Sequence, residues 1–179
     1  MKKITYPDLI LSVALTSRGF AFVLFEGPLA PFDWGISEIK GRGKDASVLN
    51  RIQTIMERYH PNTLVIERIS AQRTSRIRAR SLGLRHMAVA SEMDICQYNR
   101  AAIRSCFAPT GASTKYEIAQ VIAREIPAFS HRLPPLRKIW AGEDARQSLF
   151  DAAALGLTYY RAQIRKAPRS RPIGFQADR

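Results

Sequence analysis

Two consecutive apolar segments near the start of the chain constrain its fold more than any other feature. Residues 9–16 (LILSVALT) are almost continuously apolar, which is typical of a strand buried on both faces. The turn residues 17–19 separate this run from a second one at residues 20–25 (FAFVLF), which is aromatic and β-branched and also predicts a strand. A strand buried on both faces needs structure above and below it, so a layered domain around a sheet is expected.

The rest of the chain alternates between strand and helix patterns. Further strands are expected at residues 33–39, 63–66 and 94–98, and helices at about 45–60, 82–93, 114–126 and 143–162. Residues 70–80 are polar and basic and predict a mobile loop or the start of a helix. The short connections between the first three strands indicate an antiparallel meander. This order predicts the α/β class, with a mixed sheet and helices packed on both of its faces.

Length and composition favour one domain. The chain has 179 residues, of which 46% are hydrophobic, enough to bury a core. We expect a domain over residues 1–163 and a basic, disordered tail over residues 164–179. No apolar run is long enough to span a membrane, and two cysteines are too few for a disulfide framework. A reduced, cytoplasmic setting with no membrane partner is therefore the expectation.

Charge points to the class of partner. The chain carries 28 Lys and Arg against 15 Asp and Glu, a net charge of +13. A surface this basic attracts polyanions, and nucleic acid repays each phosphate contact by releasing counterions. The alternatives are a merely basic surface or attraction to anionic membrane. Nucleic acid is the preferred interpretation because the charge is clustered.

The densest cluster follows the fourth predicted strand. No acid occurs between Glu67 and Glu92. Four arginines of this stretch are the candidate nucleic-acid contacts: Arg73, Arg76, Arg78 and Arg80. The planar fork of arginine suits phosphate oxygens better than a point charge does.

Lys115 is a further candidate for phosphate binding. It lies in the segment TGASTKYE (residues 110–117), in the first turn of a predicted helix. Exposed N–H groups at a helix start, together with a lysine, form a good phosphate site. The alternative is an ordinary surface lysine.

Glu67 ends the apolar segment LVIE (residues 64–67). Ligands of α/β sheets bind at the carboxyl ends of strands, which is where this carboxylate is expected. A carboxylate among apolar neighbours is costly unless it is paired or binds a metal. A functional role and a salt bridge to Arg68 or to an arginine of residues 73–80 are both open.

Asp151 lies within SLFDAAAL (residues 148–155), a helix of small residues that can approach a sheet closely. In a helix that starts near residue 143, Asp144 and Ser148 would share its face. The alternative is a solvated position on the outer face. Two or three converging carboxylates on a basic surface suggest binding of Mg²⁺ and metal-assisted phosphodiester cleavage.

These segments, in this order, resemble the RuvC-like Holliday-junction resolvases of the RNase H-like nuclease superfamily. The similarity covers residues 9–160. It rests on the opening strand ILSVALTSRGF (residues 10–20), on LVIE, on GASTK (residues 111–115) and on FDAAALG (residues 150–156). The resemblance implies a five-stranded mixed sheet of order 3-2-1-4-5, a homodimer, Mg²⁺ or Mn²⁺, and nicking of branched DNA. It assigns metal-ligand roles to Glu67 and Asp151.

The chain departs from this family at two ligand positions. The family has an aspartate in the first strand where Ala14 stands here, and a second acid where Ser148 stands. A methyl group cannot bind a cation. Asp144 is the candidate substitute for the second acid and joins Glu67 and Asp151 as a candidate catalytic residue.

Three functions remain open. The first is a metal-dependent, structure-specific endodeoxyribonuclease acting on branched or duplex DNA, with cleavage impaired by Ala14 and metal binding weak or absent unless the site is rescued. The second is a catalytically inactive, nuclease-derived binding module or scaffold in DNA recombination and repair. The third is a structural dimer or regulatory partner of other DNA-processing proteins.

Overall fold

The computed structural model describes residues 8–41, 43–138 and 142–166. The strands are β1 (Ile10–Leu15), β2 (Gly19–Gly27), β3 (Ala30–Glu38), β4 (Thr63–Glu67) and β5 (Asp94–Tyr98). The α-helices are α1 (Lys44–Tyr59), α2 (Ser75–Ala90), α3 (Arg100–Phe107), α4 (Lys115–Glu125) and α5 (Gln147–Lys166). Two short 3-10 helices, Ala108–Thr110 and Pro127–Arg132, flank α4. Within these ranges, none of the helices has both the length and the apolar character needed to cross a lipid bilayer.

The five strands form one mixed sheet in the order β3-β2-β1-β4-β5. The β1–β2 and β2–β3 pairs are antiparallel, whereas β1–β4 and β4–β5 are parallel. The α/β fold and the strand order expected from the sequence are therefore confirmed. The first apolar run occupies the centre of the sheet, which explains why it is almost continuously apolar.

Both faces of β1 are buried, because its side chains alternate between two cores. Ile10 and Ala14 belong to a core built with α3, α4 and α5. Leu11 and Val13 belong to a second core on the opposite face, built with α1 and α2. The sheet therefore lies between two helical layers.

Helix α5 lies close against the sheet at Gly156. A Cβ at this position would be 2.4 Å from Cε2 of Phe25, a fully buried ring of β2. Glycine therefore permits an approach that alanine would block. The expectation that this small-residue helix packs tightly on a sheet is confirmed, and the packing fixes where Asp151 lies.

Two helices begin at residues other than those where the predicted helices begin, although a helix start within residues 70–80 was one of the two alternatives for that segment. Helix α2 starts at Ser75, within the basic segment, because Thr74 accepts a hydrogen bond from the Ile77 N–H and Ile77 is buried. Helix α5 starts at Gln147 and not near residue 143. The Asp144 carboxylate accepts a hydrogen bond from the Arg146 N–H, which forms a turn ahead of the helix.

Helix α1 begins after Gly43, whose φ of 73° is in the left-handed region. Neither Asp45 nor Ser47, the two caps considered from the sequence, caps it with its side chain. At the other end of the chain, α5 continues to Lys166, and residues 167–179 lie outside the described part. The division into a domain of residues 1–163 and a tail of residues 164–179 stays a prediction.

Candidate functional site

The carboxyl ends of β1 and β4 open onto a cavity of about 340 Å³. Val13 is aligned with Ile66 in the parallel pair, so the next residues of the two strands, Ala14 and Glu67, follow side by side. Both line the cavity, and Asp151 lines it from α5. The structure thus brings together the three positions at which metal ligands or their replacement were expected.

Both carboxylate oxygens of Glu67 are bound by arginine side chains. Its Oε2 accepts from Nη2 of Arg73 at 3.3 Å, and its Oε1 accepts from Nε of Arg100 at 3.2 Å. Arg73 belongs to the basic segment before α2, so the salt bridge considered from the sequence is present. Glu67 therefore both lines the cavity and is paired.

Asp151 is held from two sides. Its Oδ2 accepts from the ammonium nitrogen of Lys115 at 2.8 Å, and its Oδ1 accepts from Nε2 of Gln147 at 3.3 Å. The same ammonium also donates to Oε1 of Glu143 at 2.6 Å. All four carboxylate oxygens of Glu67 and Asp151 thus have protein donors.

The two replaced ligand positions supply no oxygen to the cavity. Ala14 presents only a methyl group and is 7% exposed. The hydroxyl of Ser148 donates to the carbonyl oxygen of Ala145 at 2.6 Å. Ser148 lines a second cavity, of about 190 Å³, which shares Asp151 with the first.

Asp144 does not lie on the helix face of Asp151, where it was expected to replace the second acid. It lies in the turn before α5, so the helical spacing that would put it on the face of Asp151 does not apply. Its two carboxylate oxygens accept hydrogen bonds from the Arg146 guanidinium at 3.0 and 2.8 Å. These bonds lower the pKa of Asp144 below its ordinary value. Asp144 lines the second cavity with Ser148 and Asp151, away from Ala14 and Glu67.

The side chains that line this cavity do not supply the oxygen ligands that a two-metal site needs. Divalent ions such as Mg²⁺ need several oxygen ligands, and a shared carboxylate usually bridges a metal pair. Ala14 supplies no such oxygen, and the carboxylates of Glu67 and Asp151 already accept bonds from cations. In residues 8–41, 43–138 and 142–166, no group of three or more His, Cys, Asp or Glu side chains is placed to hold a metal.

The four candidate arginines of the basic segment have different environments. Arg73 is bound to Glu67, and Arg76 forms a 3.6 Å ion pair with Asp45. Arg78 is exposed and its side chain has no partner within the described part of the chain.

Arg80 is the exception to the expected phosphate-binding role. Its side chain is fully buried; Nε donates to Asp45 at 2.6 Å and Nη1 donates to the Thr16 carbonyl at 2.7 Å. The interpretation of Arg80 as a nucleic-acid contact is corrected: helix α2 turns this side chain inward, where it ties α1 and the end of β1 to α2.

The start of α4 is closed by its own side chains. Thr114 accepts from the Glu117 N–H, and Glu117 accepts from the N–H groups of Ser113 and Thr114. These bonds, chiefly the one from the Ser113 N–H, lower the pKa of Glu117 to about 2. Glu117 occupies the N–H groups of Ser113 and Thr114, and both of these residues line the cavity together with Lys115.

Helix α3 supplies three cavity residues that the sequence pattern did not single out. Arg100, Ile103 and Arg104 line the cavity. Their spacing of three and four residues was the available signal, because residues at that spacing share one face of a helix.

Sequence comparison identifies no relative. No protein-family model matches the chain, and no curated protein sequence matches it.

Several solved structures are similar in fold. Thermus thermophilus RuvC has a TM-score of 0.62 and 16% identity, over 87% of this chain and 96% of that chain. T. thermophilus RuvC in complex with its Holliday junction substrate has a TM-score of 0.64 and 11% identity, over 89% and 96%. The Fowlpox virus resolvase in complex with Holliday junction DNA has a TM-score of 0.55 and 13% identity, over 86% and 99%. At these identities the likeness establishes a RuvC-like, RNase H-like fold.

Proposed function

We propose that this chain is a RuvC-like protein that binds branched or duplex DNA and whose metal-dependent endonuclease activity is impaired or absent. The observation that carries the proposal is the convergence of Ala14, Glu67 and Asp151 on one cavity, with both acids bound to cationic side chains. The cavity lies where the resemblance to junction resolvases implies a metal site, and this supports the proposal; the absence of a carboxylate at Ala14 supports impaired cleavage.

Binding to DNA is supported by charge and by fold. The net charge of +13 favours a polyanionic partner. The chain shares its fold with two proteins solved in complex with Holliday junction DNA. A role in DNA recombination or repair follows if the chain binds the same class of branched DNA.

Impaired cleavage follows from the ligand set. An Mg²⁺ or Mn²⁺ ion at this site would have Glu67 and Asp151 as its ligands, and each would have to exchange a cationic partner for the ion. A carboxylate in the first strand would add a ligand and make this exchange more favourable, but Ala14 supplies none. We therefore expect metal binding to be weak or absent, and phosphodiester hydrolysis to be slow, because electrostatic stabilisation is the main catalytic contribution at such sites.

A cleavage and binding assay on labelled four-way junctions tests the proposal. The natural chain is compared with Ala14→Asp, which restores the carboxylate, and with Ala14→Asn, which has the same shape without the charge. We expect all three to bind the junction, and only Ala14→Asp to gain cleavage with Mg²⁺ or Mn²⁺.

Two results would contradict this. Rapid cleavage by the natural chain that Glu67→Ala abolishes would show an intact nuclease site. Failure to bind any junction or duplex at low salt would end the DNA-binding proposal and favour a structural or regulatory partner of DNA-processing proteins.

Three further expectations belong to the same proposal: a homodimer, a cytoplasmic location and a basic tail that supports DNA binding. The homodimer is tested by light scattering, where we expect twice the 20.2 kDa monomer mass. A monomer at micromolar concentration would contradict it.

A further inference from the structure

One face of helix α3 lines the cavity with two arginines. Arg100 and Arg104 are four residues apart and therefore stand on the same side of the helix, with Ile103 between them. Lys115 lines the cavity from the start of α4. Neither α3 arginine was singled out from the sequence, and the proposed function assigns neither of them a contact with DNA.

Both α3 arginines have guanidinium N–H groups that bind no other described residue. Arg104 is exposed, and in the described part of the chain its side chain has neither an ion pair nor a hydrogen bond. Arg100 uses Nε to bind Glu67, and its two terminal nitrogens have no partner among the described residues. A guanidinium with free terminal nitrogens can donate two parallel hydrogen bonds to an oxyanion.

The charge balance of the cavity favours an anion. Its described lining contains three cations (Arg100, Arg104 and Lys115) and two acids (Glu67 and Asp151), a balance of +1. The oxygens of both acids already accept bonds from protein donors, so they are compensated within the protein. A phosphate group in this cavity could accept hydrogen bonds from the unused N–H groups of Arg100 and Arg104. A divalent cation would have to displace the protein donors that already bind Glu67 and Asp151.

We propose that Arg100 and Arg104 bind a DNA backbone phosphate at the mouth of this cavity directly, with no divalent metal between protein and DNA. This inference rests on the proposed DNA-binding function and adds the site and the chemistry of the contact. The arginines of α3 and the lysine of α4 supply the positive charge that bound metals supply in an intact two-metal cleft.

Junction affinity with and without metal is the first test. Fluorescence anisotropy measures binding of a labelled four-way junction in EDTA and in Mg²⁺, at matched ionic strength. We expect binding in Mg²⁺ to be no stronger than in EDTA. Binding that Mg²⁺ strengthens about tenfold or more, and that Glu67→Gln reduces to the EDTA level, would overturn the inference and leave the DNA-binding proposal standing. No binding under either condition would overturn both.

Substitution of Arg104 tests the contact itself. Its side chain is exposed and unpaired, so Arg104→Gln should fold normally, and we expect about tenfold weaker junction binding from the loss of charge-assisted hydrogen bonds. Arg124→Gln is the matched control: it removes the same charge from an exposed position at the far end of α4. Equal affinities of the two variants would overturn the inference.

Discussion

The ammonium nitrogen of Lys115 lies 2.8 Å from Oδ2 of Asp151, so one lysine at the start of α4 holds the acid that α5 directs into the cavity. The same nitrogen lies 2.6 Å from Oε1 of Glu143, in the segment before α5. Lys115 therefore compensates two carboxylates that reach it from distant parts of the sequence. We therefore expect substitution of Lys115 to affect folding stability and DNA binding to different extents.

Lys115→Gln should change function more than stability. All three side chains are at least 30% exposed, so solvent screens the ion pairs, and we expect a loss of about 0–1 kcal/mol in the free energy of unfolding. Junction affinity should fall about tenfold, because the cavity loses a cation, and Asp151 and the nearby Glu143 lose their cationic partner. Urea denaturation and fluorescence anisotropy measure the two effects. A large loss of stability at unchanged affinity would assign Lys115 a structural role only.

The arginines of the basic segment other than the buried Arg80 should control the salt dependence of DNA binding. Replacing Arg73, Arg76 and Arg78 together by glutamine should flatten the slope of log affinity against log salt by up to about 3, if each contacts one phosphate. Affinities measured over a salt series give the slope. Arg124→Gln serves as the single-charge control, and a triple variant with the slope of the natural chain would show that the segment does not touch phosphate.

Arg80 should matter for folding instead. Arg80→Ala removes a fully buried side chain, leaves the Thr16 carbonyl without its donor and leaves Asp45, among the described residues, with only its ion pair to Arg76, so we expect a loss of about 2–4 kcal/mol in the free energy of unfolding. Arg78→Ala, two residues earlier and exposed, should change it by less than about 0.5 kcal/mol. Urea denaturation compares them, and equal effects would contradict the buried role.

The Glu117 cap should make stability depend on pH in the acid range. Its pKa is lowered from 4.5 to about 2 by hydrogen bonds from Ser113 and Thr114. A depressed pKa means that the folded state binds the proton less tightly than the unfolded state does. The stabilisation is thus present above pH 4.5 and is lost as the pH falls toward 2.

Glu117→Gln tests this pH dependence, because glutamine keeps an acceptor but cannot titrate. The natural chain should have the higher urea midpoint at about pH 6, and the difference should narrow toward about pH 2. Glu92→Gln, at an exposed position after α2, is the control and should show a smaller change. A difference between natural chain and Glu117→Gln that is the same at both pH values would rule out the capping bonds as its source.

Local patterns in the sequence were enough to predict the α/β architecture and to single out Glu67 and Asp151 as candidate site residues. The almost continuously apolar residues 9–16 predicted a strand buried on both faces, and the segment of residues 64–67 predicted Glu67 at the carboxyl end of a strand. These features depend on the spacing of apolar residues, which a single strand or helix already displays. The likeness to junction resolvases supplied the strand order, and the structure has that order.

The hydrogen bonds and ion pairs of the cavity side chains and of Arg80 join residues that are distant in sequence. Glu67 meets Arg100 across 33 residues, Lys115 meets Asp151 across 36, and Arg80 reaches Thr16 across 64. No local pattern encodes such partners, because they are selected by the packing of separate elements around the sheet. Tertiary structure alone therefore decided that Arg80 is buried, that Asp144 lines a different cavity from Glu67, and that cations of α3 and α4 line the same cavity as Ala14.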